Sequence, residues 1–304
     1  MRDILSRYAP YLAGCRTAIC RDLASAPLGR ILSEYFEGGK MLRPLLVFVS
    51  ASAVGGDPAA VVPAAQALEL LHGASLIHDD IVDGAKERRG RSALHLQIGI
   101  GPAVVLGDYL ILRAYTVFGQ AKSPRVLEAL QVLSQCAEEC CRGQVEELSS
   151  ANGDPEETYF SIVRGKTASQ FVAAATVGGI LAEGQSEEIE ALRTFALNLG
   201  IAFQIRDDEL DLSREIFQLP TLPLIYFNKH GSKSAQEKYS QITKNGAKPS
   251  EVLDLFRAEG VFDRLQAVKE LHLNQALKAI KCLPNSSEQD AMTAMAQHAI
   301  LRTQ

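Results

Sequence analysis

Two long apolar segments of this 304-residue chain end in the same acidic pattern. Residues 61–78 lead into Asp79-Asp80-Ile81-Val82-Asp83, and residues 187–210 lead into Asp207-Asp208-Glu209-Leu210-Asp211. On an α-helix the first and fifth positions lie one turn apart. Asp79 and Asp83 therefore share a face, and so do Asp207 and Asp211. Carboxylates at that spacing repel one another. A divalent cation removes the repulsion. Clustered hard oxygen donors suit Mg2+, which keeps some waters and takes further ligands from substrate phosphates. Two such clusters facing each other would make a cradle for a diphosphate.

The segments around them read as helices. Apolar periodicity, abundant Ala and Leu and little β-branched alternation predict helices over 42–54, 61–78, 103–120, 125–149, 157–182 and 187–210. Several are apolar on most faces, as central helices of a large bundle would be. Gly55-Gly56-Asp57-Pro58, Gly99 to Pro102, Asn152-Gly153-Asp154-Pro155 and Glu183-Gly184 punctuate them. Beyond residue 220 the chain is more polar, with shorter helices predicted near 249–260, 261–282 and 287–302. No linker or fixed-period repeat interrupts the pattern, which predicts one all-α domain over 1–304.

Composition excludes several classes. A net charge of −5 and the lack of a basic stripe exclude a nucleic-acid footprint. The six Cys form no Cys-x-x-Cys pair, so they read as small buried residues in a reducing compartment. The N-terminus lacks the basic-then-apolar order of a signal peptide. Apolar runs such as 171–182 fall short of a membrane span. The expectation is a soluble cytoplasmic protein with no membrane span.

Basic residues accompany the acids. Gly38-Gly39-Lys40-Met41-Leu42-Arg43-Pro44 reads as a helix opening, where a permissive backbone and free amides favour an anion. Lys40 and Arg43, three apart, would share a face, although most such pairs are simply solvated. Lys86-Glu87-Arg88-Arg89-Gly90 follows the first acid cluster closely, as expected if both contact one Mg2+–diphosphate unit. His72, about two turns before Asp79, is either a core histidine or a site group on the same side. Lys166 and Thr167 fall within a helical segment, and Gln204 shares the acid face of Asp207, with Phe203 beside it.

Taken together, the segments GGKMLRP (38–44), HGASLIHDDIVDGAKERRG (72–90), GDYL (107–110), KTA (166–168), FQIRDDELD (203–211) and TLPLIY (221–226) resemble the motif series of the trans-isoprenyl diphosphate synthases, or polyprenyl synthetases. The resemblance extends over essentially the whole chain. It implies an antiparallel helix bundle around a deep central cavity, usually as a homodimer. It also implies condensation of an allylic diphosphate with isopentenyl diphosphate. By position, Asp79, Asp80, Asp83, Asp207, Asp208 and Asp211 would frame the Mg2+ ions, though not all six need touch metal. Arg88, Lys166 and Gln204 would attend the allylic diphosphate, with Thr167 and Gln204 turning dipoles toward the cation. Lys40, Arg43, His72 and Arg89 would hold isopentenyl diphosphate.

Chain length has a physical argument. Ala74 and Ser75, just upstream of Asp79, are small, where early-stopping family members tend to carry an aromatic. The tail can pass, which predicts a product of geranylgeranyl length or longer. A deeper floor would come from Leu71 or from Leu110, Tyr115 and Phe118, the last two read equally as core aromatics. One departure stands out. Between Asp211 and Thr221 lies only Leu-Ser-Arg-Glu-Ile-Phe-Gln-Leu-Pro, without the lysines of the family's longer connection. That keeps two alternatives open: a weakly active or non-catalytic subunit of a heteromeric synthase, and a terpene cyclase. Arg206, Arg214 and Lys229 are candidates to replace the missing charge.

Overall fold

A computed structural model describes residues 2–149, 153–212, 221–244, 246, 248–284 and 286–301. The chain is all-α, as its periodicity predicts. Helices α1 (Arg2–Leu23), α2 (Gly29–Phe36), α3 (Leu42–Ala53) and α4 (Val62–Val82) come first. A short hairpin, β1 (Glu87–Arg88) with β2 (Arg91–Ser92), is the only β-structure among the described residues. There follow α5 (Leu94–Ile98), α6 (Ile100–Phe118), α7 (Val126–Ser149), α8 (Pro155–Val163), α9 (Ser169–Leu181) and α10 (Ser186–Asp211). The last helices are α11 (Leu222–His230), α12 (Lys233–Lys244), α13 (Pro249–Ala258), α14 (Val261–Ala279) and α15 (Ser286–Leu301).

The helices gather into two compact units, each drawn from several stretches of chain. One comprises Met1–Ala137, Ala173–Arg193 and Cys282–Ala291; the other comprises Glu138–Val172, Thr194–Lys281 and Met292–Gln304.

In the first unit α4 is the central element, packed by α1, α3 and α6. That environment explains why its sequence is apolar on most faces: Ala64, Ala65, Leu68, Leu70, Ala74 and Ile77 are all buried. Pro63 sits in its first turn, where a missing N–H costs nothing. The helix does not stop before the acids. It runs through Asp79 and Asp80 to Val82 and is capped by Asp83. The N-terminal helix is pinned by a buried carboxylate, Glu288, which accepts from Tyr8 Oη at 2.7 Å and pairs with Arg7.

The second unit has its own core of Tyr159, Val163, Ile201, Ile205, Leu222, Phe227, Phe256 and Leu265. The Phe227 and Phe256 rings stack at 4.5 Å. Within this core Lys269 of α14 donates to both carboxylate oxygens of Glu209 on α10, at 2.8 and 2.7 Å. Both side chains are about 95% buried.

Several sequence expectations are corrected here. The predicted helix over 157–182 is continuous from Pro155 to Leu181 but not uniform, since α8 passes through a π-helical turn at Arg164–Ala168 into α9. Lys40 lies outside the helix, because Met41 adopts a left-handed conformation (φ 53°) immediately before α3, so the shared helical face with Arg43 does not exist. Pro102 falls inside the first turn of α6, not in a connection, with Gly99 (φ 90°) turning the chain in front of it. The polar stretch after residue 231 carries α12, and Cys141 and Cys282 are exposed rather than buried. Residues 58–82 and 100–118, each at mean hydropathy 1.3, are long and apolar enough to cross a membrane, by length and composition only. The shortened connection at 213–220, including Arg214, lies outside the described residues.

The buried Lys269–Glu209 pair yields a stability prediction. Losing one partner of a buried pair typically costs about 3–5 kcal/mol. Arg206 also donates to Glu209 Oε2, at 2.7 Å, so Lys269→Ala should cost near the low end, about 3 kcal/mol. The double change Lys269→Met with Glu209→Leu should recover most of it. Urea denaturation measures both, and a loss under about 1 kcal/mol for Lys269→Ala would show that the pair is not buried as drawn.

Candidate active site

Both acid clusters occupy the last turn of their helices, α4 and α10. That is the negative end of the helix dipole, where carboxylates are disfavoured and cations are stabilised. The sequence therefore concentrates negative charge where the backbone already opposes it.

In the first unit the triad splits by direction. Asp79 is half-buried and Asp83 exposed, one turn apart, with the Asp83 amide donating to the Asp79 carbonyl at 2.8 Å. Asp80 points inward and is fully buried. Its Oδ1 accepts from Arg88 Nε at 2.9 Å and from the neighbouring Nη2. Its Oδ2 is buried with no hydrogen-bond partner among the described residues. The β-hairpin is what returns Arg88 to this carboxylate. Arg89 takes a left-handed conformation (φ 55°) at the turn, so its side chain leaves in a different direction. It donates to the Tyr35 carbonyl at 3.1 Å and lies over the Tyr35 ring. The Tyr35 hydroxyl is itself buried and unpartnered, and burial together with the Asp80 charge holds it protonated.

Lys40, exposed, and Arg43, half-buried, lie at the start of α3. Arg43 and Arg89 both act electrostatically on Glu69, a buried carboxylate on α4. His72 follows Glu69 by three residues and is half-buried. The two small residues differ in setting. Ser75 lies four residues before Asp79, near its face, and donates to the His72 carbonyl at 2.9 Å. Ala74 is fully buried and shares its face with His78, whose Nε2 lies 3.2 Å from the Val104 carbonyl of α6. On the same stripe as Ala74, one turn nearer the start of α4, Leu70 borders a cavity of about 270 Å³ between α1, α4 and α6.

In the second unit the second triad splits in the same way. Asp207 and Asp211 are half-buried, whereas Asp208 is turned into the core. Asp208 accepts from Tyr159 Oη at 2.6 Å, Gln204 Nε2 at 2.9 Å and the Leu222 amide at 3.3 Å. Burial pushes its pKa up to about 6, and the three donors oppose that rise. The Leu222 contact ties the acid cluster to the start of α11, the Thr221-Leu222-Pro223 segment. Gln204 in turn accepts from Thr167 Oγ1 at 2.7 Å. Thr167, Gln204, Asp208 and Tyr159 thus form one hydrogen-bonded chain.

The π turn that carries Lys166 and Thr167 exists because the backbones of α7 and this turn touch. A β-carbon on Gly143 would meet the Lys166 amide at 2.9 Å, and one on Gly165 would meet the Glu139 carbonyl at 2.9 Å. The extra residue of the π turn re-aims Lys166, whose Nζ pairs with Glu147 on α7. Phe203 packs against Phe171 at 5.2 Å. Of the proposed substitutes for the missing loop lysines, Lys229 pairs with Glu156 at 2.6 Å and Arg206 with Glu209.

Sequence reasoning missed Glu69, Tyr159, Glu147 and Lys269. Glu69 had a legible signal, as a lone charge inside an apolar helix. The other three are ordinary charged or aromatic residues whose partners lie far along the chain. Among the described residues no three acidic, His or Cys side chains converge on one point. The outward carboxylates still fit Mg2+, which needs only one or two carboxylates when substrate phosphates complete its shell.

The sequence profile of the polyprenyl synthetase family matches residues 25–256. The chain belongs to the polyprenyl synthetase family. It is 34% identical over 312 residues to octaprenyl diphosphate synthase of Escherichia coli K12, covering 96% of this chain and 95% of the relative. It is 32% identical over 319 residues to a short chain isoprenyl diphosphate synthase of Methanothermobacter thermautotrophicus, covering 99% and 98%. The fold matches a polyprenyl synthase from Caulobacter crescentus, solved in complex with calcium and isoprenyl diphosphate. The TM-score is 0.85 at 27% identity, over 99% of this chain and 97% of that one. This polyprenyl synthetase has the all-α isoprenoid synthase fold and is a prenyltransferase of the isoprenyl diphosphate synthase type.

Proposed function

We propose that this polyprenyl synthetase joins an allylic diphosphate head-to-tail to isopentenyl diphosphate, with Mg2+, to give a product of geranylgeranyl length or longer. The observation that carries the proposal is the common split of the two acid clusters. In each, the second carboxylate is buried and bound by the protein, and the first and third, one turn apart, are half-buried or exposed. Asp79 and Asp83 of the first unit, and Asp207 and Asp211 of the second, are the residues that would hold Mg2+, which would supply neutralisation of the charge building on departing pyrophosphate. The Caulobacter relative was solved in complex with calcium and isoprenyl diphosphate, which supports a fold that takes both a divalent cation and a prenyl diphosphate.

The chain's own residues do the rest. Arg88, anchored on Asp80, keeps its guanidinium about one-third exposed beside the first cluster, where it can receive phosphate oxygens. Lys40, Arg43 and Arg89 supply cations for the isopentenyl diphosphate. Thr167 and Gln204, held by Asp208, present oxygen dipoles that favour positive charge on the prenyl carbon. The isopentenyl double bond attacks that carbon, and the proton released in the elimination can leave on pyrophosphate, so no side-chain base is required.

Extension of radiolabelled isopentenyl diphosphate on a series of allylic primers tests the reaction. Asp79→Ala and Asp207→Ala should each lower turnover by about 10²-fold or more. Full activity in either removes the metal assignment. For product length, Ser75→Phe should shorten the product with little loss of stability. Ala74→Phe should also shorten it, while overpacking the buried seam at about 1–3 kcal/mol. Unchanged product distributions in both variants would refute this route for the tail.

We also propose a homodimer. Helix α6 leaves Ile100, Val104, Val105 and Leu112 exposed, an apolar row that a second copy would cover. Sedimentation at micromolar concentration should give twice the chain mass, and a monomer would reject the assembly.

A further inference from the structure

The first unit contains a buried carboxylate that the proposed chemistry does not use. Glu69 lies in the middle of α4, 3% exposed, amid an otherwise apolar run. It stands directly against the Gly38-Gly39 loop. A β-carbon on Gly39 would lie 3.0 Å from Glu69 Oε1 and 3.5 Å from Arg89 Nη2, so both groups crowd the same point of backbone. Arg16 of α1 closes the far side, donating to the Gly39 and Glu37 carbonyls at 2.7 Å each. Burial pushes the Glu69 pKa up, and the charges of Arg43, Arg89 and Arg16 pull it back. A carboxylate so deeply buried is costly to ionise unless cations stand close to it.

We propose that Glu69 is a positioning residue, whose buried carboxylate holds the Gly38-Gly39 loop and Arg89 in the orientation that receives isopentenyl diphosphate. The inference rests on the diphosphate-binding reading above. It also gives the glycine at residue 39 a reason, since a β-carbon there would press on the Glu69 carboxylate at 3.0 Å. The alternative role, a charge that merely tempers three guanidinium groups, makes the opposite prediction. Removing a negative charge from a cationic pocket should strengthen the binding of an anion. Removing the anchor that aims the pocket should weaken it.

Glu69→Gln decides between them. The expected result is a KM for isopentenyl diphosphate about tenfold higher, with the KM for the allylic diphosphate within twofold of wild type. Titration calorimetry with isopentenyl diphosphate in metal-free buffer should show the same loss of affinity, and Glu69→Asp should restore part of it. Unchanged or tighter binding by E69Q overturns the proposal. So does an equal rise in both KM values with a lower melting temperature, the signature of a purely structural residue. If E69Q does not fold, Gly39→Ala supplies the second arm: its β-carbon should push the carboxylate aside and raise the same KM selectively, and normal kinetics there would overturn the proposal. A wild-type enzyme that neither binds nor extends isopentenyl diphosphate would sink the underlying reading. A working wild type matched by E69Q would sink only the positioning role.

Discussion

The structure depends on carboxylates placed where a helix least tolerates them. α4 and α10 each end in three aspartates, at the pole where unsatisfied carbonyls already concentrate negative charge. Such termini are tenable when some of the carboxylates are bound by donors within the protein. Both units divide their triads in the same way. One aspartate of each triad turns inward, and the two that share a face one turn apart remain accessible.

The inward partner is chemically different in the two units, and the difference matters. Asp80 is bound by an arginine, so its charge is matched, and the arginine side chain stays about one-third exposed. Asp208 is bound by neutral donors, a tyrosine, a glutamine and a backbone amide, so its charge is spread without being cancelled. The first arrangement joins a carboxylate to a cation, and the second fixes the orientation of a glutamine and, through it, a threonine. Burial costs each carboxylate solvation, and the hydrogen bonds offset that cost.

The backbone devices around these groups are small. A left-handed residue at Met41 separates Lys40 from α3, a left-handed Arg89 turns a two-strand hairpin, and one π turn re-aims Lys166. Each occurs next to a residue expected to touch substrate. Local distortion of this kind serves sites that need side chains aimed off the regular lattice of a helix. Periodicity cannot reveal them, because each changes the count by one residue or less. The notional face shared by Lys40 and Arg43 failed for that reason.

Most of the architecture was legible from the chain. Long apolar segments of helical period mark α3, α4, α6, α7 and α10, since their burial is a property of their own residues. The repeated Asp-x-x-x-Asp spacing placed Asp79 with Asp83, and Asp207 with Asp211, because helical geometry alone fixes which positions share a face. Tertiary structure decided what sequence spacing cannot encode: that Asp80 meets Arg88, that Asp208 meets Tyr159 and the start of α11, and that Glu69 stands under Gly39. Those pairings are chosen by which helices pack together, and a linear spacing rule carries no information about a partner on another element.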